Sequence, residues 1–285
     1  MTMTVTGMPA QVGGLRDFDP PHLETMTLEV LEDNVVVMTM NRPDRMNSQT
    51  VRMFEEYNTV ARALRDTDAR ALIMRGAGER TFCAGFDLDQ LDVITTMGVR
   101  DFLQFQELAS GGLSAIRHLP FPVIAAIHGA AVGGGLALAL AADIRLVAPS
   151  AVFSAAFVKV GLSAGELGTS WHLTRLIGPG RAAELSYTAR LVHADEAVRI
   201  GLANRIVPAD DLMREAQALA SRIAANSPAG IRTSKRALQR NQEVGSYSAA
   251  SEIENRGQTM LARNPDMPEA LAAFREKRPP RFSGR

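Results

Sequence analysis

The apolar stretch from Val123 to Ala142 constrains the fold more than any other part of this sequence. A transmembrane helix needs about 20 apolar residues, so its length alone would permit a membrane span. However, His128 and Gly129 interrupt it, and the triplet Gly133-Gly134-Gly135 follows. The first part is rich in β-branched residues and the second in Leu and Ala. This pattern predicts a buried strand, a glycine turn and a buried helix rather than a membrane anchor.

Strand and helix patterns alternate on both sides of this stretch. We predict a hairpin from residues 28–32 and 35–40, a helix capped by Asn47 or Ser48, and buried strands at 71–75, 122–127 and 144–147. Such alternation indicates an α/β fold with right-handed crossovers. After Val207 the pattern becomes helical, at 210–225, 228–242, 247–263 and 267–277. We therefore expect a flexible leader (1–20), an α/β core (21–207) and a helical region (208–285) that packs on the core or on another subunit.

Composition excludes several classes of protein. Lys and Arg together number 31, Asp and Glu also 31, and 46% of residues are apolar. Disordered chains and nucleic-acid binders are typically far more charged or more basic, so we expect no nucleic-acid partner. The N-terminus lacks a secretory signal, and the single cysteine, Cys83, fits a reducing, cytoplasmic location. The histidines show no metal-ligand spacing, so no metal site is expected.

Two glycine-containing turns are the first candidates for chemistry. They are Cys83-Ala84-Gly85-Phe86 and Gly133-Gly134-Gly135. The second precedes a predicted helix, whose exposed N–H groups and positive dipole end suit a developing oxyanion. Glycines also allow close packing of a strand on a helix, and spacing alone leaves both interpretations open.

Two further features allow a functional and a structural interpretation. The string Gly161 to Gly165 matches G-x-S-x-G, the nucleophile elbow of serine hydrolases, with Ser163 as nucleophile. The acids and histidines that could complete a triad crowd too closely behind it, which favours an ordinary turn. Glu166 follows at a predicted helix start. It either complements the helix dipole or acts as a general base beside a buried pocket.

In this order, these features resemble the enoyl-CoA hydratase/isomerase (crotonase) superfamily. Several segments carry the resemblance along most of the chain: Asn41-Arg42-Pro43-Asp44-Arg45-Met46-Asn47, Phe82-Cys83-Ala84-Gly85-Phe86-Asp87-Leu88, Pro122 through Gly135, Ala142-Asp143-Ile144-Arg145, and Phe274 through Phe282. The resemblance implies a crotonase-like (ClpP/crotonase) fold, with a core that is a repeated ββα superhelix and a C-terminal helical trimerisation region. It also implies a homotrimer or a hexamer.

The resemblance further implies an acyl-CoA thioester as substrate, with coenzyme A entering as part of that substrate and no separate cofactor. The backbone N–H groups of Phe86 and Gly134 would hold the thioester oxygen. Arg45 and Ala84 lie where the family contacts coenzyme A. Lys277 and Phe282, from a neighbouring subunit, lie where its adenine-phosphate end is met.

The sequence also departs from the family's pattern. Hydratases that add water to the 2,3-double bond use two glutamates, and Ala137 and Phe157 stand in their places. Alanine transfers no proton, so two-glutamate hydration is not expected. Glu166 lies where related isomerases and a dehalogenase carry an aspartate, and we predict it as the single acid/base. Ala137, Phe157 and Trp171 are predicted to line an apolar acyl pocket. The alternative is an acyl-CoA-binding protein without activity.

Overall fold

The computed structural model describes residues 14–15 and 18–282. The chain opens with an antiparallel hairpin, β1 (Met26–Val30) and β2 (Val35–Met40), followed by helix α1 (Val51–Arg65). The predicted hairpin is confirmed.

The core then repeats a unit of two strands and a helical segment. The units are β3 (Ala71–Gly76) and β4 (Thr81–Cys83) with α2 (Leu91–Thr96) and α3 (Val99–Arg117); β5 (Val123–Ile127) and β6 (Ala130–Val132) with α4 (Gly134–Ala141); and β7 (Ile144–Val147) and β8 (Val152–Ser154) with α5 (Thr169–Ile177). In each unit the first strand joins one sheet and the second joins another. This is the repeated ββα superhelix that the resemblance implied.

The remaining elements complete the sheets and the C-terminal region. They are α6 (Pro179–Thr188), β9 (Val192–His193), α7 (Ala194–Ile200), β10 (Arg205–Ile206), α8 (Leu212–Ala224), α9 (Pro228–Asn241), α10 (Tyr247–Leu261) and α11 (Asp266–Glu276). The larger sheet has the order β1-β2-β3-β5-β7-β10 and the smaller β4-β6-β8-β9. The pairs from β2 to β10 are parallel, and only β1 pairs antiparallel in the larger sheet.

Both faces of the central strands β2, β3, β5 and β7 are buried, which explains their continuous apolar runs. Because side chains alternate along a strand, Leu72 and Met74 enter the main core with α1, α3 and α4. Ala71 and Ile73 face the opposite side, where α8 covers the sheet. The first helix after Val207 therefore packs on the α/β core.

The start of α1 differs from the prediction. Its N-cap is Thr50, whose hydroxyl accepts a hydrogen bond from the Met53 N–H at 3.2 Å. Asn47 lies outside the helix because its side chain is fully buried and joins two loops. It accepts from the Arg42 N–H at 3.0 Å and donates to the Ala77 and Thr81 carbonyls at 2.9 and 2.8 Å. Asn47 thus fixes the loop before α1 against the turn between β3 and β4.

The last helices extend from this core. On α9, the buried Lys235 ammonium pairs with Asp143 and donates to the Phe121 carbonyl, both at 2.8 Å. Helix α10 has no buried residue, and apolar side chains such as Tyr247 and Phe274 are exposed on α10 and α11. Trimer or hexamer formation through this region stays a prediction. Within the described ranges, no helix is long and apolar enough to cross a membrane.

Candidate active site

The two glycine-containing turns meet at the wall of one cavity. The cavity holds about 200 Å³, and its wall combines both turns with residues of α1, α2, α3 and the segment before α5. Its apolar residues include Phe54, Phe86, Leu91, Ile94, Phe102, Phe105, Ala109, Phe157, Val160 and Leu162. Its few polar side chains are Gln49, Gln106, Lys159 and Glu166. A mostly apolar cavity with few polar groups is typical of a small-molecule site.

Close approach of the turns requires glycine at position 85. Gly85 has φ of +98°, and a Cβ there would lie 2.7 Å from the Val132 carbonyl oxygen and 3.4 Å from the Gly134 nitrogen. An L side chain adopts this backbone conformation only with strain. The functional interpretation and the packing interpretation of these glycines are therefore compatible, since close packing brings the Phe86 and Gly134 segments together.

The backbone N–H groups of Phe86 and Gly134 have no protein acceptor in the described part of the chain. Their neighbours are engaged: the Gly133 N–H donates to the Ser154 carbonyl at 2.9 Å, and the Asp87 N–H to the Gln49 carbonyl at 2.8 Å. Gly134 is also the first residue of α4, where the helix dipole favours negative charge. Two free donors on adjacent turns can stabilise an oxyanion.

Glu166 is the acidic side chain of this cavity. It lies between a 3-10 turn (Ala156–Val160) and α5, and it is half-buried. Burial raises the pKa of its carboxyl group above the ordinary value, and a hydrogen bond from Gln106 Nε2, at 2.9 Å, opposes this rise. A carboxylate whose pKa is raised by burial is a stronger base, so Glu166 can accept a proton from a ligand in the cavity and return it.

The comparisons with known proteins agree with this geometry. Residues 31–285 match the family model described as enoyl-CoA hydratase/isomerase. The chain belongs to this family. It is 38% identical over 268 residues to a Mycobacterium tuberculosis protein named probable enoyl-CoA hydratase EchA12. The aligned region covers 91% of this chain and 94% of that protein.

Two further relatives extend this finding. The short-chain-enoyl-CoA hydratase of Clostridium acetobutylicum is 36% identical over 249 residues, covering 87% of this chain and 93% of its own. The crystal structure of an enoyl-CoA hydratase from Bacillus anthracis superposes with a TM-score of 0.87 at 33% identity, over 92% of this chain and all of that one. The chain is thus an acyl-CoA-processing enzyme of the enoyl-CoA hydratase/isomerase family with the crotonase fold.

The structure separates the three residues predicted to line the acyl pocket. Phe157 is in the cavity wall. Ala137 is buried inside α4 and is not part of the wall, so this prediction is wrong for Ala137. Ala137 is instead part of the main hydrophobic core, with 1% exposure.

Trp171 is also outside the cavity, contrary to prediction. In α5 its indole lies against the guanidinium groups of Arg175 and Arg117, at 4.0 and 4.9 Å from the ring centroid. The helical turn that begins at Thr169 directs Trp171 away from the side where Glu166 meets the cavity. The polar neighbours of Trp171 in space could not be known from the sequence.

The residues predicted to contact coenzyme A are in two places. Ala84 lines the cavity, next to the free Phe86 amide. Arg45 lies nearby and pairs with Asp87 and Asp89. Lys277 is exposed after α11 and Phe282 is half-buried in the C-terminal segment, and neither reaches the cavity of its own chain. Their contact with coenzyme A from a neighbouring subunit stays a prediction.

Ser163 has the geometry of a turn residue. Its exposed hydroxyl accepts from the Gly165 N–H at 2.9 Å, and no described histidine or carboxylate hydrogen-bonds to it. A serine nucleophile needs an adjacent general base, so the structure does not support the serine-hydrolase alternative.

Sequence reasoning missed three polar residues of the cavity wall, Gln49, Gln106 and Lys159. Gln106 shares one face of α3 with Phe102 and Ala109, four and three residues away, so a polar residue on an apolar stripe was its signal. Gln49 stands in the polar run before α1, where capping is the ordinary expectation and no signal marks a site. Among the residues that the structure describes, no cluster of acidic, histidine or cysteine side chains could hold a metal ion.

Proposed function

We propose that this enzyme moves a proton on an acyl-CoA thioester through an enolate, with Glu166 as its single acid/base. The observation that carries the proposal is that two free backbone amides and one carboxyl group of raised pKa share one apolar cavity. The amides favour negative charge on the thioester oxygen, and the carboxylate provides a base for the adjacent carbon.

The step balances without a further reactant. The Glu166 carboxylate removes a proton from Cα of a 3-enoyl thioester, and the electron pair of the broken C–H bond forms the enolate. Its oxygen accepts hydrogen bonds from the Phe86 and Gly134 N–H groups. The Glu166 carboxylic acid then returns the proton to Cγ, and the double bond moves to Cα–Cβ. Loss of one such donor costs about 3–4 kcal/mol of transition-state stabilisation in other enzymes.

The side chains of this chain favour isomerisation over hydration, because hydration in this family uses two glutamates. Ala137 cannot exchange a proton, and Phe157 makes its part of the wall apolar. Neither of the two positions at which the family's hydratases carry a glutamate therefore holds a carboxylate here. The names of the relatives describe those proteins, whereas the acid/base chemistry of this chain follows from its own side chains.

Coenzyme A enters in this proposal as part of the substrate. Ala84 lies beside the Phe86 amide, and the Arg45 guanidinium would exchange its pairing with Asp87 and Asp89 for a phosphate of coenzyme A. We further propose that Lys277 and Phe282 meet the adenine-phosphate end from a neighbouring subunit of a homotrimer or hexamer.

The test is Glu166→Gln, with Glu107→Gln as control. Glu107 is an exposed residue of α3, next to Gln106 and outside the cavity wall. Each protein is incubated with a 3-enoyl-CoA in D₂O, and products are identified by mass spectrometry and proton NMR. We expect the original enzyme and the control to form the 2-enoyl isomer, which gains deuterium at Cγ when the Glu166 acid exchanges its proton with solvent before it protonates the enolate. Glu166→Gln should lose at least about 10²-fold in rate.

Other products would contradict the proposal in distinct ways. A product heavier by one water molecule indicates hydration, and release of free coenzyme A indicates hydrolysis through Glu166 as nucleophile. Unchanged turnover in Glu166→Gln would remove this residue from the mechanism. Binding without any product would support the non-catalytic alternative.

A further inference from the structure

Gln49 connects the two turns of the oxyanion site. Its backbone N–H donates to the Gly85 carbonyl at 2.7 Å, and its carbonyl accepts from the Asp87 N–H at 2.8 Å. These two bonds bracket Phe86 and leave the Phe86 N–H free. The residue just before the N-cap of α1 thus holds the first turn in place.

The side chain of Gln49 reaches the second turn. A Cβ on Gly134 would lie 2.1 Å from Gln49 Oε1, so the side-chain amide lies directly against the Gly134 Cα. Gln49 is also part of the cavity wall. Its amide therefore lies beside the turn that carries the Gly134 N–H, in the same cavity wall as Phe86.

The Gln49 amide is buried without hydrogen-bond partners. The residue has 0% exposure, and neither Nε2 nor Oε1 has a partner in the described structure. Buried polar groups are nearly always paired in native proteins, so an unpaired amide in a cavity wall calls for an explanation. A ligand atom in the cavity would provide the missing partner.

Tyr57, on α1, is a second buried polar group, close to the Gln49 amide. Its hydroxyl is fully buried and has no partner of hydrogen-bonding geometry in the part of the chain described. Burial raises the pKa of this hydroxyl well above its usual value, and the Gln49 amide is close enough to influence it. The hydroxyl is therefore protonated and can donate or accept.

The orientation of the amide determines what it offers to the cavity. With Oε1 against Gly134, the oxygen would repel a negative thioester oxygen. A half turn of the amide exchanges the positions of Oε1 and Nε2, because the two atoms occupy equivalent places. Tyr57 can then donate to Oε1, which leaves the Nε2 group directed at the oxyanion site.

We propose that Gln49 Nε2 is a third hydrogen-bond donor to the thioester oxygen, beside the Phe86 and Gly134 amides, and that the Tyr57 hydroxyl orients it. This inference rests on the proposed function, since it assumes a thioester in the cavity. Gln49 is then a catalytic residue that stabilises the enolate, and Tyr57 is a positioning residue.

The test measures polarisation of the bound carbonyl directly. Crotonyl-CoA carrying ¹³C at the thioester carbonyl is bound to each protein, and the C=O stretching frequency is read by infrared difference spectroscopy. Gln49→Met has a similar length and no donor, and Tyr57→Phe removes only the orienting hydroxyl. Glu107→Gln is the control, because Glu107 is exposed on α3 and lies outside the cavity wall.

We expect the original protein and Glu107→Gln to share the same downshift of the C=O frequency on binding. Gln49→Met should lose part of this downshift and about 10²-fold in kcat, with KM changed little, because the lost bond forms mainly in the transition state. Tyr57→Phe should lose a smaller part in the same direction. If Gln49→Met does not fold, the Tyr57→Phe spectrum decides the proposal.

A full downshift in Gln49→Met, or in Tyr57→Phe as the only folded variant, would overturn the inference and leave the proposed function standing. A rise in KM with an unchanged spectrum would also overturn it, since that result indicates packing alone. If the original protein binds the thioester with no downshift, or does not bind it, the proposed function fails together with the inference.

Discussion

Gly85→Ala tests whether the position of the first turn controls catalysis. The new methyl group would lie 2.7 Å from the Val132 carbonyl oxygen, in a backbone conformation with φ of +98°. Real Cβ contacts are longer than 3.0 Å, and the obstructing atom belongs to the backbone. The turn that carries the Phe86 N–H must therefore move away from the turn that carries Gly134.

The size of the effect follows from this geometry. An ordinary contact of about 3.4 Å requires the turn to move by about 0.7 Å. A misplacement of about 1 Å can cost 10²-fold in rate, so this movement should cost about 10- to 30-fold in kcat. Positive φ in an alanine costs about 1–2 kcal/mol, and overpacking adds about 1–3 kcal/mol. We therefore expect a loss of about 2–5 kcal/mol in the free energy of unfolding.

Steady-state kinetics and urea unfolding measure both effects. The control is Gly111→Ala on α3, where a Cβ would meet no atom within 4 Å. This variant should keep its activity and gain about 0.5–1 kcal/mol, since alanine favours a helix more than glycine does. A Gly85→Ala enzyme with the original kcat would refute the reasoning, because the amide positions would then not limit the reaction.

Two further predictions follow from buried groups. Gln106→Met removes the hydrogen bond that stabilises the Glu166 carboxylate, so the pKa of Glu166 should rise further. Because the base form is active, the rate is lost as pH falls through this pKa, and the acidic limb of the kcat profile should move to higher pH. A limb that stays in place would contradict this. Burial raises the pKa of the Cys83 thiol to about 12, so iodoacetamide should label it only when urea unfolds the protein, and rapid labelling of the native protein would count against the structure.

Local sequence patterns predicted the elements whose residues form continuous apolar runs. The runs of β3 and β5 and the Leu/Ala run after the glycine triplet indicated two buried strands and a buried helix. In contrast, β4, β6 and β8 have three residues each and β9 has two. No period can be detected over so few residues, so only the repeated ββα pattern implied by the resemblance indicated a second sheet.

Some of the candidate site residues lie in the cavity wall, as predicted from the sequence, and others were misplaced. Phe86 and Gly134 were identified through the resemblance to the family, because the glycine turns by themselves left a packing interpretation open. Trp171 was misplaced because an apolar residue near Glu166 can point either into the cavity or away from it. The first residue of α5, Thr169, decides between these directions. The sequence does not predict where a helix begins to within one residue.

The sequence by itself determined a parallel α/β core and two glycine turns, and it placed a carboxylate side chain at residue 166. Tertiary structure alone decided which polar side chains share the cavity. Gln106 reaches Glu166 from a helix 60 residues earlier, and Gln49 contacts Gly134 across the fold. Burial and pairing of such groups depend on neighbours that are distant in the chain. Local propensity carries no information about them, so the pKa of Glu166 and the unpaired amide of Gln49 emerge only when the sheets and helices pack together.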